Sequence, residues 1–324
     1  MKFIAELCQN HNGDFAIIEQ MVQQAASVGA THIKLQHIFT KNLVFRAQFE
    51  NGLKINDKTL CIRRPYAEEF SRLSSLELTD AQYRDFVSLV KSFGLIPLTT
   101  CFSRSDLPNI ISQGFEEIKV ASYDCSSYQL IRELTQYFSH IYVSTGATYD
   151  SEVQKTASLL KDSNIDYTLL HCITIYPTPL SSCHLKRINY LAELSLNVGY
   201  SDHSAYHDTG TLASKVAIHL GASVLERHFT VLDSGATRDG IVSIDMEGIS
   251  DIIQFSRLSN IAQKSDLDKA YPDWHLLLGS RSRALSEEEL LNRDYYRGRF
   301  ATPLFEHANL ASQMLFNYEE TPLP

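Results

Sequence analysis

The stretch from Leu196 to Asp239 reads LNVGYSDHSAYHDTGTLASKVAIHLGASVLERHFTVLDSGATRD. Two short apolar runs, VGYSDH at 198–203 and SVLERH at 223–228, each end in a histidine that leads into a loop. Between them Ala213, Val216, Ala217 and Leu220 recur at helical spacing, and Gly221 stops the helix. A strand–helix–strand unit of this kind belongs to a parallel β/α sheet. Both histidines then emerge at the carboxyl ends of strands, where two imidazoles can hold a divalent metal.

The same unit recurs towards the N-terminus. Apolar strands are expected at 3–8, 32–36, 96–102, 117–122, 141–145, 167–174, 196–201 and 224–230. Helices are expected between them. Ile18, Met21, Val22 and Ala25 mark the first, with Gly29 after it, and Thr79 with Gln82 opens another in a capping-box pattern. Further helices are expected near 106–114, 128–137, 151–162 and 184–194, and a last long one at 246–264. Strands this apolar are buried on both faces. Eight such units predict a (β/α)8 TIM barrel with its active site at the carboxyl ends of the strands, a doubly wound open sheet being the alternative. Residues 37–78 read as an irregular excursion, long enough to be a functional segment such as a lid. The barrel is expected to occupy 1–265 and a C-terminal extension 266–324.

Composition narrows the function. With 44% hydrophobic and 21% charged residues the chain can build a large core. A net charge of −9 argues against nucleic-acid binding and against a basic membrane-binding patch. An acidic protein that binds an anion must gather its cations locally. No GxGxxG or GxxxxGK[ST] pattern is present. Cys8, Cys61, Cys101, Cys125, Cys172 and Cys183 form no CxxC pair, and no leader or membrane span is visible, so a reduced cytoplasmic protein is expected.

The strand ends carry the chemistry. They offer Glu6, Lys34 and Gln36, Thr99 and Thr100, Lys119, Ser122 and Asp124, Ser144 and Thr145, then His171, Thr174 and Tyr176, and finally Ser201, Asp202 and His203 with Glu226, Arg227 and His228. Singly, each has a structural explanation: His171 as a hydrogen-bonded core residue, Asp202 as a turn cap. Two lysines inside apolar strands are costly unless they meet an anion. Hydroxyls beside them can complete a phosphate or carboxylate cradle. The set points to a metal-assisted reaction on a small phosphorylated or carboxylated substrate.

The motifs AE at 5–6 with NHNGD at 10–14, IKLQ at 33–36, TTCFS at 99–103, IKVAS at 118–122, VSTG at 143–146, LHCITIYPTP at 170–179, GYSDHS at 199–204 and LERHFT at 225–230 resemble, in order, the sialic acid synthase family of phosphoenolpyruvate-dependent nonulosonate synthases. The resemblance implies condensation of phosphoenolpyruvate with the aldehyde of a 2-acetamido hexose such as N-acetylmannosamine, giving a nine-carbon keto acid and phosphate. It implies Mn²⁺ or Mg²⁺ on His203 and His228. It implies phosphoenolpyruvate on Lys34, Thr100, Lys119, Ser122, Ser144 and Ser201. Asp124, standing where the family usually has Glu, becomes the residue that positions or deprotonates water. Glu6, Gln36, Tyr176 and Asp239 face the sugar or metal-bound water, and a homodimer is implied. Thr174 and Cys101 depart from the usual residues, and the histidine usual after strand eight is missing from ATRDG at 236–240. The segment after Arg299 resembles the opening of the family's antifreeze-like domain, cut short, and the acceptor-facing arginine of that domain has no assigned counterpart. A different acceptor, or a non-catalytic barrel in glycan biosynthesis, is the alternative reading.

Overall fold

The computed structural model describes residues 1–321 and 323. The strands in chain order are β1 (Lys2–Cys8), β2 (His32–His37), β3 (Leu53–Ile55), β4 (Lys58–Cys61), β5 (Ile96–Cys101), β6 (Glu117–Val120), β7 (His140–Ser144), β8 (Asp166–Cys172), β9 (Asn197–Asp202), β10 (Val224–His228), β11 (Ala301–Pro303) and β12 (Met314–Phe316). Eight of them close a parallel barrel in the order β1-β10-β9-β8-β7-β6-β5-β2, which excludes the open sheet. The fold is a (β/α)8 barrel.

Alternation along the strands builds it. Alternate positions along each strand, such as Phe3, Ala5, Ile33, Leu35, Ile118 and Val143, face outward into a continuous core with the helices. The positions between them fill the barrel in layers. The lowest layer is polar: Tyr142 donates to Glu117 at 2.6 Å, His32 Nε2 lies 3.1 Å from the same carboxylate, and His140 bonds Thr168 at 2.9 Å. Ile4, Leu98, Tyr142, Leu170 and Val224 form an apolar plug above it. The charged groups lie above the plug, at the carboxyl ends.

The first helix, α1 (Phe15–Ser27), is capped by Asp14 and buries Ile18, Met21, Val22 and Ala25 as its spacing requires. The Thr79–Gln82 capping box forms as read. Several expectations are corrected. Residues 37–78 are not irregular: they hold α2 (Gln48–Asn51), the β3–β4 hairpin and α3 (Tyr66–Ser74). The hairpin turns on Asn56 and Asp57, both at positive φ (48° and 62°), a two-residue turn whose strands carry exposed Leu53 and Ile55 and so lack a buried stripe. The helix expected at 246–264 is two, Met246–Ser256 and Asn260–Ala270, because Ser259 caps a second start. The later one runs through residue 265. The helices expected at 106–114, 128–137 and 184–194 are shorter, at Leu107–Ser112, Tyr128–Leu134 and Arg187–Leu191.

The C-terminal segment folds back over the barrel mouth. Its helix Glu287–Tyr296 starts on a Ser286–Glu289 capping box, and β11–β12 follow as an antiparallel pair. Thr302 Oγ1 accepts the Ser105 N–H at 3.1 Å, and Asn317 Nδ2 donates to the Phe102 carbonyl at 2.8 Å. Fully buried Arg104 pairs with Glu133 and donates to the Thr321 carbonyl at 2.9 Å.

Burial also sets a pH limit. It lowers the imidazoles of His11 and His140 to about 4 and that of His171 to about 3. These folded values lie below the ordinary one, so the unfolded chain takes up protons first as pH falls. The stability they confer is complete above pH 6.5 and is lost downward towards pH 3–4. His171 alone accounts for about 3 kcal/mol by pH 4. Burial of Glu117 opposes its ionisation, but the His32 and Tyr142 hydrogen bonds prevail and hold it at about 2, so its share is lost between about pH 4.5 and 2. Urea midpoints are expected to fall steadily from pH 7 to pH 4; a flat profile contradicts this assignment.

Candidate active site

Above the apolar plug, Lys34 and Lys119 meet two glutamates. Lys34 Nζ pairs with Glu6, lies 3.5 Å from Glu226 Oε2 and donates to Thr100 Oγ1 at 3.3 Å. Lys119 Nζ pairs with Glu226 Oε1, which also accepts from Ser201 Oγ at 2.7 Å. Burial opposes ionisation of Glu226, but Lys119 and Lys34 outweigh it and hold the carboxyl well below its usual range. For Lys34, the pull of Glu226 and Glu6 overcomes burial and raises it; for Lys119 burial prevails and lowers it. An ammonium has three donors, and among the described residues Lys119 bonds only Glu226, so it retains donors for a substrate anion. The Ser144 hydroxyl beside it is buried with no partner, as is the Thr174 hydroxyl. Gly146 closes this wall: a Cβ there would stand 2.7 Å from Thr174 Cγ2 and 3.0 Å from the Cys172 carbonyl oxygen.

The two histidines stand beside this cradle, their ring centroids 5.4 Å apart and Ser201 Oγ 3.5 Å from His203 Nε2. His203 Nδ1 lies 3.1 Å from the Ile173 carbonyl, which makes it the N–H nitrogen. Its Nε2 then carries the lone pair, accepting from the Tyr176 hydroxyl at 2.9 Å. Burial, followed by the neighbouring His228, pushes His203 well below its ordinary value, so the ring is neutral, as a metal ligand must be. His228 Nδ1 is buried without a hydrogen-bond partner, 3.8 Å from Asp239 Oδ2. The Cys8 thiol donates to the same Asp239 oxygen at 2.9 Å. Donor atoms of Cys8, His228 and Asp239 all lie within 4.8 Å of one another. An orphaned imidazole nitrogen beside a carboxylate fits a divalent cation, which would satisfy both.

Behind the histidines a buried network fixes both strand ends. Arg227 pairs with Asp202, which also accepts the Ser204 N–H at 2.9 Å and the Ser214 hydroxyl at 2.6 Å. Asp202 is thus the turn cap that the sequence suggests. His171 likewise bonds the Cys183 carbonyl at 2.7 Å and is a satisfied core residue.

Glu6, Lys34, Gln36, Thr100, Lys119 and Ser122 line one cavity of about 390 Å³, together with Ser144, Tyr176, Ser201, His203, His228 and Asp239. Asp124 is not in that lining. Its half-buried carboxylate accepts from Ser127 at 2.7 Å and from Asn317 at 3.1 Å, and desolvation raises its pKa despite both bonds. Other lining residues escape strand-end reasoning because no barrel strand carries them. Arg64 and Arg72 come from the 37–78 segment, Arg238 from the loop after β10, and Glu288, Asn292, Tyr296 and Arg299 from the C-terminal segment. Glu69 pairs with both Arg72 and Arg299, tying the two segments together over the mouth. The Ser286–Glu289 capping-box pattern is the one sequence signal that locates this last helix.

Among the described residues no helix is long and apolar enough to cross a membrane, and all six cysteines are free thiols. The family model described as "NeuB family" matches residues 21–266. The chain is 28% identical over 293 residues to N,N'-diacetyllegionaminic acid synthase of Legionella pneumophila, covering 89% of this chain and 76% of that one. It is 28% identical over 264 residues to pseudaminic acid synthase of Helicobacter pylori, covering 81% and 75%. Its fold is similar to the crystal structure of N-acetylneuraminic acid synthetase from Leptospira borgpetersenii in complex with citrate, at a TM-score of 0.67, 21% identity and 90% coverage of both chains. The chain belongs to the NeuB family.

Proposed function

We propose that this barrel is a nonulosonate synthase, joining phosphoenolpyruvate to the open-chain aldehyde of a 2-acetamido hexose to give a nine-carbon 2-keto-3-deoxy acid and phosphate. The observation that carries the reading is the placement of Lys119 and the unpaired Ser144 hydroxyl in the same cavity as the two imidazoles. Lys34, Lys119, Thr100, Ser122, Ser144 and Ser201 hold the phosphate and carboxylate through charge-assisted hydrogen bonds. His203 and His228 would hold a divalent metal, Mn²⁺ or Mg²⁺, which would supply Lewis-acid polarisation of the acceptor aldehyde. C3 of phosphoenolpyruvate attacks that carbon, water adds at C2, and phosphate leaves with C–O cleavage. Glu6, Gln36, Tyr176 and Asp239 orient the sugar hydroxyls and the water. Asp124 acts at one remove, holding Asn317 and with it the C-terminal segment. The reading includes a homodimer working in the cytoplasm, with 266–324 forming a cover over the barrel.

Phosphate release with phosphoenolpyruvate, Mn²⁺ and a panel of 2-acetamido hexoses tests this. Release with at least one neutral sugar of this class is expected; release with none overturns the reading. Arg64, Arg72, Arg238 and Arg299 at the mouth favour a second reading, a negatively charged acceptor. Turnover with a phosphorylated hexosamine alone would select it.

A further inference from the structure

We propose that Cys8 is a metal ligand, so that a thiolate and the Asp239 carboxylate beside His228 join the two imidazoles around the cation. This inference rests on the metal-dependent reading above and adds a sulfur donor to it.

Three observations carry it. First, the donor atoms are already gathered. Cys8 Sγ lies 2.9 Å from Asp239 Oδ2, His228 Nδ1 lies 3.8 Å from that oxygen, and all three ligand atoms fall within 4.8 Å of one another. Ligands about 2.0–2.3 Å from a tetrahedral Zn²⁺-type cation stand roughly 3.3–3.8 Å apart, so small side-chain movements complete the site. Second, His228 is 6% exposed and its Nδ1 has no hydrogen-bond partner, although it faces this group. Third, Cys8 sits at φ +46°, where the β1–β2 register shifts. That conformation favours glycine, and a side chain there costs roughly 1 kcal/mol. The chain nevertheless carries a thiol at this point and aims it at a carboxylate.

Ligation breaks the S–H bond. The proton passes to Asp239, its hydrogen-bond acceptor, and on to solvent as the sulfur–metal bond forms. A thiolate, imidazole and carboxylate set is softer than an all-oxygen site. It therefore favours Co²⁺, Fe²⁺ or Zn²⁺ over Mg²⁺.

The test is Co²⁺ titration of the metal-stripped full-length protein, followed in the near-ultraviolet and the visible. A thiolate-to-cobalt charge-transfer band is expected in the native protein. In Cys8→Ser and Cys8→Gly it should vanish, while the visible cobalt bands persist with affinity reduced about 10-fold or more. Glycine relieves the left-handed backbone, so loss of the band in Cys8→Gly is not a folding failure. Visible bands in the native protein without the charge-transfer band would overturn the thiolate ligand and leave the metal site standing. No cobalt binding of any kind would overturn both.

Discussion

Replacing His228 with alanine is expected to lower turnover by about 10³-fold or more while leaving the thermal midpoint within a few degrees of the parent. The imidazole stands at the open end of the barrel, not in the apolar plug, and its Nδ1 bonds no protein group. Its removal therefore costs the fold little packing and no hydrogen bond from that nitrogen. The loss falls on the reaction. Metal polarisation of a carbonyl is worth several kcal/mol, and each 1.36 kcal/mol is tenfold in rate. His203→Ala should lose activity comparably. It also strips the Tyr176 hydroxyl and the Ile173 carbonyl of their partner, so a modest loss of stability accompanies it. Full activity in either variant contradicts the metal assignment.

Lys119→Met should be nearly as damaging, for a different reason. Lys119 neutralises Glu226 on the cavity floor, and both side chains are at most 5% exposed. Removing one partner of a buried pair leaves an uncompensated charge and costs about 3–5 kcal/mol of stability. It also removes the ammonium proposed to hold phosphoenolpyruvate, so kcat/KM should fall about 10²–10³-fold. Lys119→Met combined with Glu226→Gln separates the two effects. The double variant should regain most of the thermal midpoint, because no lone charge remains, but not the activity. Recovery of both would mean that Lys119 serves only the fold.

The barrel is legible in the sequence because its short apolar strands recur eight times with helices between them and must alternate inward and outward. Lys34, Lys119, Ser201 and Glu226 share the inner face for that reason, and counting by twos from Ile4 already reaches Glu6. The mouth is less legible. Arg64 lies in the loop after the exposed β3–β4 hairpin, and Arg72 lies on the short helix α3 that follows. Arg299 follows a charged helix that its Ser286 cap locates but whose docking surface no periodicity reveals. Cys8 reads as a small hydrophobe at a strand end. Only the left-handed turn at the β1–β2 irregularity directs its sulfur to Asp239. Asp124, a residue type suited to proton transfer, lies just past its strand and bonds Asn317 of the segment that covers the barrel, a contact that no local sequence pattern reveals.

Mass-spectrometric quantification of products formed from phosphoenolpyruvate and a 2-acetamido hexose in the presence of Mn²⁺ addresses the proposed chemistry most directly. The expected result is a nine-carbon keto acid and phosphate in equal amounts, with neither formed when sugar or metal is omitted. Phosphate released without the sugar, or no keto acid with any acceptor tried, would contradict it.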